Sequence, residues 1–173
     1  AFASGSNAIS IGKDSDATDT YAIAIGSGAQ ATAEGAVAMG SHTVPSPYST
    51  ISGGENNTIA AGANHQFIGG GGDNQILGTH GTMDYNVIVG GSGNTAESGN
   101  NHRFMFIGGG LSNVVSEEYA VVTGGRNNSV TAKDATVVGG QSNTSSGQYS
   151  VSGGGNNTAS GSASVAFGRY GQA

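Results

Sequence analysis

The sequence predicts an all-β fold, a parallel β-solenoid of about eleven coils of 14–20 residues each. Three observations lead there. Gly makes up 33 of the 173 residues but shows no three-residue period, which excludes collagen. Only 9% of residues are charged, aromatics are 6% and Trp is absent, so neither a charge-rich disordered chain nor a bulky globular core fits. The chain also repeats itself, and self-similarity at a short period marks stacked architectures.

The repeat is anchored on the Gly that ends each apolar stretch: Gly12, Gly26, Gly40, Gly54, Gly71, Gly91, Gly110, Gly125, Gly140, Gly154 and Gly168. Their spacing is 14 or 15 toward both ends and 17, 20 and 19 in the middle. Three residues before each anchor stand Ile9, Ile23, Val37, Ile51, Ile68, Ile88, Ile107, Val122, Val137, Val151 and Val165, which reads as one packing column. Three residues after it, seven successive coils carry Asn57, Asn74, Asn94, Asn113, Asn128, Asn143 and Asn157. Five after it, Ala17, Ala31, Ile59, Ile76, Ala96, Val115, Val130 and Ala159 are small or apolar. Each repeat is therefore two short strands joined by Gly-X-X-Asn. Gly tolerates positive φ, and Asn both tolerates the left-handed region and bonds its own backbone. Stacked at ~4.8 Å, equivalent Asn side chains form an amide ladder, and eleven coils run ~50 Å. The sequons at Asn56-Asn57-Thr58 and Asn127-Asn128-Ser129 follow from the same turn pattern and are not read as glycosylation sites.

One residue before the anchor, Ile11, Ile25, Met39 and Phe167 occupy the end coils. Gly53, Gly70, Gly90, Gly109, Gly124, Gly139 and Gly153 occupy the coils between. Gly inside a strand marks close backbone approach, so this column reads either as the place where another copy packs or as plain turn punctuation. A coil of two strands cannot hide its apolar residues alone, which points to a homo-oligomer, with a trimer as the leading expectation.

"NAISIG" at 7–12, "YAIAIG" at 21–26 and "GAVAMG" at 35–40 resemble the head repeats of YadA-like trimeric autotransporter adhesins. "YSVSGGGNNTASGSASVAFG" at 149–168 is similar to a second dialect of the same repeat. The resemblance implies a left-handed parallel β-roll assembled as a homotrimer. It implies an adhesin carried on the Gram-negative cell surface and anchored in the outer membrane through parts absent here, binding host matrix or cell-surface receptor proteins. Residues 1–173 then form one head domain, with regular coils over 1–48, insertion-bearing coils over 49–110 and regular Gly/Asn coils over 111–173. The chain begins in mid-pattern and reads as a piece of a longer protein. No neck motif or heptad stalk is present, so trimerisation must rest on the head itself.

The extra residues of the middle coils fall at Ala61–Gln66, Leu77–Tyr85 and Glu97–Met105, always after the second strand, which stacks them on one edge. Loops on a rigid scaffold commonly carry recognition, and aromatic and Arg side chains anchor protein interfaces. His65, Phe67, His80, Met83, Tyr85, His102, Arg103 and Phe104 are thus the candidate partner-binding residues. The alternatives are that the loops cover a neighbouring copy or are tolerated insertions.

Net charge is −6 with no basic run, which argues against nucleic acid and anionic lipid. There is no Cys and no apolar run of about 20 residues. "GGGGDN" at 69–74 lacks the Lys-Ser/Thr of a phosphate loop, and repeated turn Asp of the calcium-binding kind is missing. The loop histidines are not at ligand spacing, so no metal and no cofactor is expected. The 11 acidic residues are scattered rather than paired, so the chain reads as non-enzymatic. The alternative function is a structural fibre or spacer with no ligand of its own.

Overall fold

The computed structural model describes residues 1–62, 64–78, 85–98 and 104–173. Their backbone winds as a parallel β-solenoid with two short strands per coil and, among the described residues, no helix. One strand of every coil joins a single eleven-stranded sheet, from Ile9–Ile11 to Val165–Arg169, here called the long sheet. The opposite face is built in two pieces. A four-stranded sheet runs from Phe2–Ala3 to Thr43–Val44, and a seven-stranded sheet from Thr58–Ile59 to Thr158–Ala159. Every pairing is parallel and joins a coil to the next. A thin line of single bridges along the turn after the long sheet links Glu55, Gly72, Ser92, Leu111, Arg126 and Gln141.

The turn between the two faces is held by the amide column. Asn74 donates from Nδ2 to Asn57 Oδ1 at 3.0 Å, and its backbone N–H donates to the same oxygen at 3.0 Å. The same pair of bonds recurs at Asn94, Asn113, Asn128, Asn143 and Asn157. Each Nδ2 also donates to two Gly carbonyls, one of its own coil and the anchor of the next, as Asn94 does to Gly90 and Gly110 at 3.0 Å. The seven side chains are buried. An amide suits this place because it offers donors and an acceptor at once, and a buried polar group left unpaired is costly.

The anchor glycines are sterically required. A Cβ on Gly54, Gly71, Gly110 or Gly140 would lie 2.0 Å from the carbonyl oxygen of the next anchor. Those are the carbonyls that the ladder amides hold in place. The Gly one residue earlier differs. A Cβ at Gly53 would meet nothing within 4 Å, and at Gly90 only the Gly70 carbonyl oxygen at 3.7 Å.

The eleven-member Ile/Val column does not stay in one row. The strand register aligns Ile9, Ile23 and Val37 with Thr50, and Ser10, Ala24 and Ala38 with Ile51. The inward row is therefore Ser10, Ala24, Ala38, Ile51, Ile68, Ile88, Ile107, Val122, Val137, Ser152 and Ala166. Ile9, Ile23, Val37, Val151 and Val165 stand in the outward row with Phe67, Val87 and Phe106. The cause is one extra backbone residue in the middle coils. Three steps separate Val137 from Gly140 where two separate Ser152 from Gly154, and the register shifts between Val137 and Gly140. Gly53, Gly70, Gly109 and Gly139 take up the extra residue with φ of 126–148°. A one-residue slip exchanges the faces of a strand, and here it turns Ile from outward to inward.

Core and surface are consequently inverted between segments. In the first coils the interior is built almost entirely of small residues, among them Ala17, Ala22, Ala24, Ala29, Ala31, Ala36 and Ala38, all fully buried, until Val44 enters the row of Ala17 and Ala31. Their larger apolar side chains, including Ile9 and Ile11, point outward from the long sheet. In the middle coils Ile51, Ile59, Ile68, Ile76, Ile88 and Ile107 fill the interior. Where the interior narrows again, Ser145 and Ser152 meet through their hydroxyls at 2.8 Å.

Asn94→Ala strips partners from Asn74, Asn113, Gly90 and Gly110. It is expected to cost at least ~3 kcal/mol, since each buried group left short costs ~1–3 kcal/mol. Asn127 has a φ of 55° and an exposed side chain, and Asn127→Gly is expected to be neutral or stabilising. Urea denaturation at one fixed protein concentration separates the two, and equal losses would contradict the ladder.

Candidate functional site

The turn that leads back into the long sheet places one left-handed residue in each coil. The column comprises Asn7, Tyr21, Gly35, Tyr48, His65, Tyr85, Phe104, Tyr119, Asp134, Tyr149 and Ala163, with φ of 44–62°. A left-handed residue at a tight turn throws its side chain outward, and a bulky one is uncommon there. Five consecutive members carry rings. Tyr48 stacks on His65 with centroids 5.3 Å apart, His65 on Tyr85 at 4.9 Å, Tyr85 on Phe104 at 5.4 Å and Phe104 on Tyr119 at 5.5 Å. The spacing is close to that of the strands, so the backbone repeat itself sets the stack.

Both ends of the stack are closed. The Tyr48 ring lies against Gly35, where a Cβ would come within 2.7 Å of Cδ1. A hydrogen bond to Glu34 raises the Tyr48 phenol above its ordinary pKa, with loss of hydration and the charges of Glu34 and Asp19 adding to it. At the other end Lys133 Nζ sits 5.4 Å from the Tyr119 ring centre and pairs with Glu118. The hydrogen bond to Glu118 raises the Lys133 pKa, with the charges of Glu118, Asp134 and Tyr119 in support and burial opposing.

The ring faces are covered by one another, while the edges are open: Tyr48, Tyr85, Phe104 and Tyr119 are each 38–48% exposed. This is an apolar strip four stacking intervals long. It lies on the edge where the insertions join the coils, for His65 and Phe104 lie within the first and third insertions and Tyr85 ends the second.

Of the residues expected on this edge from sequence, His65, Tyr85 and Phe104 therefore stand together in one stack. Phe67 is elsewhere. It lies on the outer face of the long sheet with its ring over Gly69, as Phe106 does over Gly108; a Cβ on either Gly would come within 3.2–3.3 Å of the ring. His80, Met83, His102 and Arg103 lie outside the described residues. Tyr48 and Tyr119 were not singled out from sequence, although both sit three residues before an inward Ile or Val, as the other rings do. That fixed offset was the available signal.

His42 was also missed. It immediately precedes Thr43, as Asn57 precedes Thr58, and so takes the amide column's place one coil ahead of it. It is buried, and among the described residues neither ring nitrogen has a hydrogen-bond partner. Among the described residues no group of three or more His, Cys, Asp or Glu is arranged to hold a metal ion, and no helix is long and apolar enough to cross a membrane.

A second surface is the outward face of the long sheet. Ile9, Ile11, Met39, Phe67, Val89, Phe106, Val138, Val165 and Phe167 are all exposed on it, with Ile11, Val165 and Phe167 near 58%. Exposed apolar side chains gathered on one face in this way mark an interaction surface.

The family model described as YadA head domain repeat matches residues 3–29, 20–43 and 145–170. No curated protein and no solved structure matches the chain.

Removing an inner ring breaks two stacked pairs, so Tyr85→Ala is expected to cost ~1–3 kcal/mol at ~0.5–1.5 kcal/mol per pair. Tyr149→Ala, on an exposed ring outside the stack, is expected to stay within ~0.5 kcal/mol. Chemical denaturation compares them. Tyr48 and Lys133 are both raised, so the stability they add is present below their ordinary values, near pH 10, and is lost as pH climbs through the folded values. Glu34→Gln is expected to move the ionisation of one tyrosine to lower pH. Phenolate absorbance follows this, and an unchanged titration curve would count against the contact.

Proposed function

We propose that this chain, whose residues 3–29, 20–43 and 145–170 match the YadA head domain repeat, is the non-enzymatic head of a trimeric adhesin displayed at the bacterial cell surface. In this reading three left-handed rolls seal their long sheets against one another, and the insertion edge binds host matrix or cell-surface receptor proteins. The observation that supports the binding role is the exposed five-ring column, which carries the ends of three neighbouring insertions on one rigid base. Aromatic side chains held with little rotamer freedom lose little entropy on binding, which suits them to anchor a partner. His65, Tyr85 and Phe104, flanked by Tyr48 and Tyr119, form the floor of that surface. His80, Met83, His102 and Arg103 are its proposed contributors from the insertions, and Phe67 belongs with the contact between copies.

Trimerisation is supported by the inverted end coils. Small residues inside and exposed Ile9, Ile11, Val165 and Phe167 outside leave the first and last coils with large apolar side chains in water. Burying such surface gains roughly 25 cal/mol per Å², and the long sheet is the face that carries these side chains. Threefold display then adds avidity, because a second contact becomes intramolecular once the first has formed.

Sedimentation equilibrium tests the assembly. The intact chain is expected to sediment as a trimer, and Ile11→Asp together with Phe167→Asp to shift it toward smaller species while far-ultraviolet circular dichroism still reports β structure. A stable folded single chain at micromolar concentration for the unaltered protein would overturn it. Binding is tested on a panel of matrix proteins and receptors with the intact chain, a form whose insertions are cut back to 14-residue coils, and Tyr85→Ser. Loss of binding in the last two supports the edge; equal binding by all three leaves a spacer.

A further inference from the structure

The turn after the long sheet, on the edge opposite the rings, also carries a left-handed column. Asn56, Asn127 and Asn156 belong to it, with φ of 55°, 55° and 57°. Each is the first residue of an Asn-Asn-Thr/Ser triplet. The second Asn of each triplet, Asn57, Asn128 or Asn157, is buried in the amide ladder. The first is exposed, and among the described residues its side-chain amide makes no hydrogen bond. The third residue, Thr58, Ser129 or Thr158, begins the next strand and is exposed or half-buried on the outer face. The alternation of a strand thus puts the first amide and the third hydroxyl outside together and the middle amide inside.

A fourth triplet with the same pattern, Asn143-Thr144-Ser145, is out of phase by one residue. Its Asn143 is fully buried and donates to Gly139, Gly154 and Asn128, and its Ser145 is fully buried against Ser152. Both groups that the triplet needs for modification face the interior there.

The turn pattern alone gave no reason to read these triplets as glycosylation sites, but their outward placement does: we propose that Asn56, Asn127 and Asn156 are acceptor sites for asparagine-linked glycosylation and that Asn143 is not. The donor class is a nucleoside-diphosphate sugar handled by a separate transferase. A bond forms between the side-chain Nδ2 and the anomeric carbon, and the bond from that carbon to the phosphate oxygen breaks. The nucleoside diphosphate leaves with the electron pair, and Nδ2 gives up one proton. Asn56 and Asn127 are four coils apart and Asn127 and Asn156 two, or ~19 and ~10 Å at the strand repeat, so the three sites can be filled together. The sugars would line the edge away from both the rings and the long sheet. The assignment is independent of the adhesin reading, since it needs only the coil geometry.

The test uses the folded chain, a soluble asparagine glucosyltransferase and UDP-glucose, read by intact mass and peptide mapping. Hexose is expected on Asn56, Asn127 and Asn156 and not on Asn143, and Asn127→Gln is expected to lower the added mass by one hexose. The urea-unfolded chain is expected to take hexose on Asn143 as well, which shows that the enzyme accepts that triplet once it is freed. A folded chain with no hexose at the three sites, or one labelled at Asn143 as readily as at Asn127, overturns the assignment.

Discussion

The structure depends on one close approach, the stacking of each anchor glycine on the carbonyl of the next. At 2.0 Å from the place where a Cβ would sit, the Gly71 oxygen leaves no room for any other residue at Gly54, and the same relation recurs up the stack. The closeness brings that oxygen within reach of the Asn57 amide at 3.0 Å. Glycine and asparagine are therefore two parts of one device: one gives up its side chain so that coils can meet, and the other ties down the polar groups that the meeting buries. The repeat of the whole molecule follows from it, because strands, bridges and the ring column all inherit the spacing set at that turn.

A coil so thin has little interior. Where it is filled by Ile, as from Ile51 to Ile107, the long sheet can present mixed residues such as Thr50, Phe67 and Val87 outward. Where it is filled by Ala, the bulk has moved outside and large apolar side chains such as Ile9 and Ile11 stand exposed on the sheet. The two edges divide the remaining work. One bears the rings, held in line by left-handed turns and closed by Glu34 and by Lys133 with Glu118. The other bears the amide ladder inside and the exposed amides of Asn56, Asn127 and Asn156 outside.

Much of the fold was legible in residue columns. The Asn column is a ladder because every member performs the same bonding, so composition at one offset was enough to identify it. The Ile/Val column was misleading for a physical reason. Counting from the anchor treats the link between strand and anchor as constant, whereas Gly53 and its counterparts lengthen it by one residue, and one residue reverses a strand. The clustering of His65, Tyr85 and Phe104 could be expected from the insertions, whereas the stack with Tyr48 and Tyr119 was legible only in a shared offset. Its members are spaced by irregular loops in the chain and share only their offset to the inward residue that follows.

By itself the sequence determined what is periodic and local: the number of coils, the two strands and two turns of each, the turns that must be Gly or Asn, and the edge on which extra residues accumulate. Those properties follow from backbone sterics and from hydrogen bonding of single residues, and they repeat often enough to be read. Only the tertiary structure decided which face each apolar residue takes, which rings meet, and whether a given Asn is consumed inside or left free outside. These depend on strand phase, and phase is set by the cumulative register between neighbouring coils, which no single repeat contains.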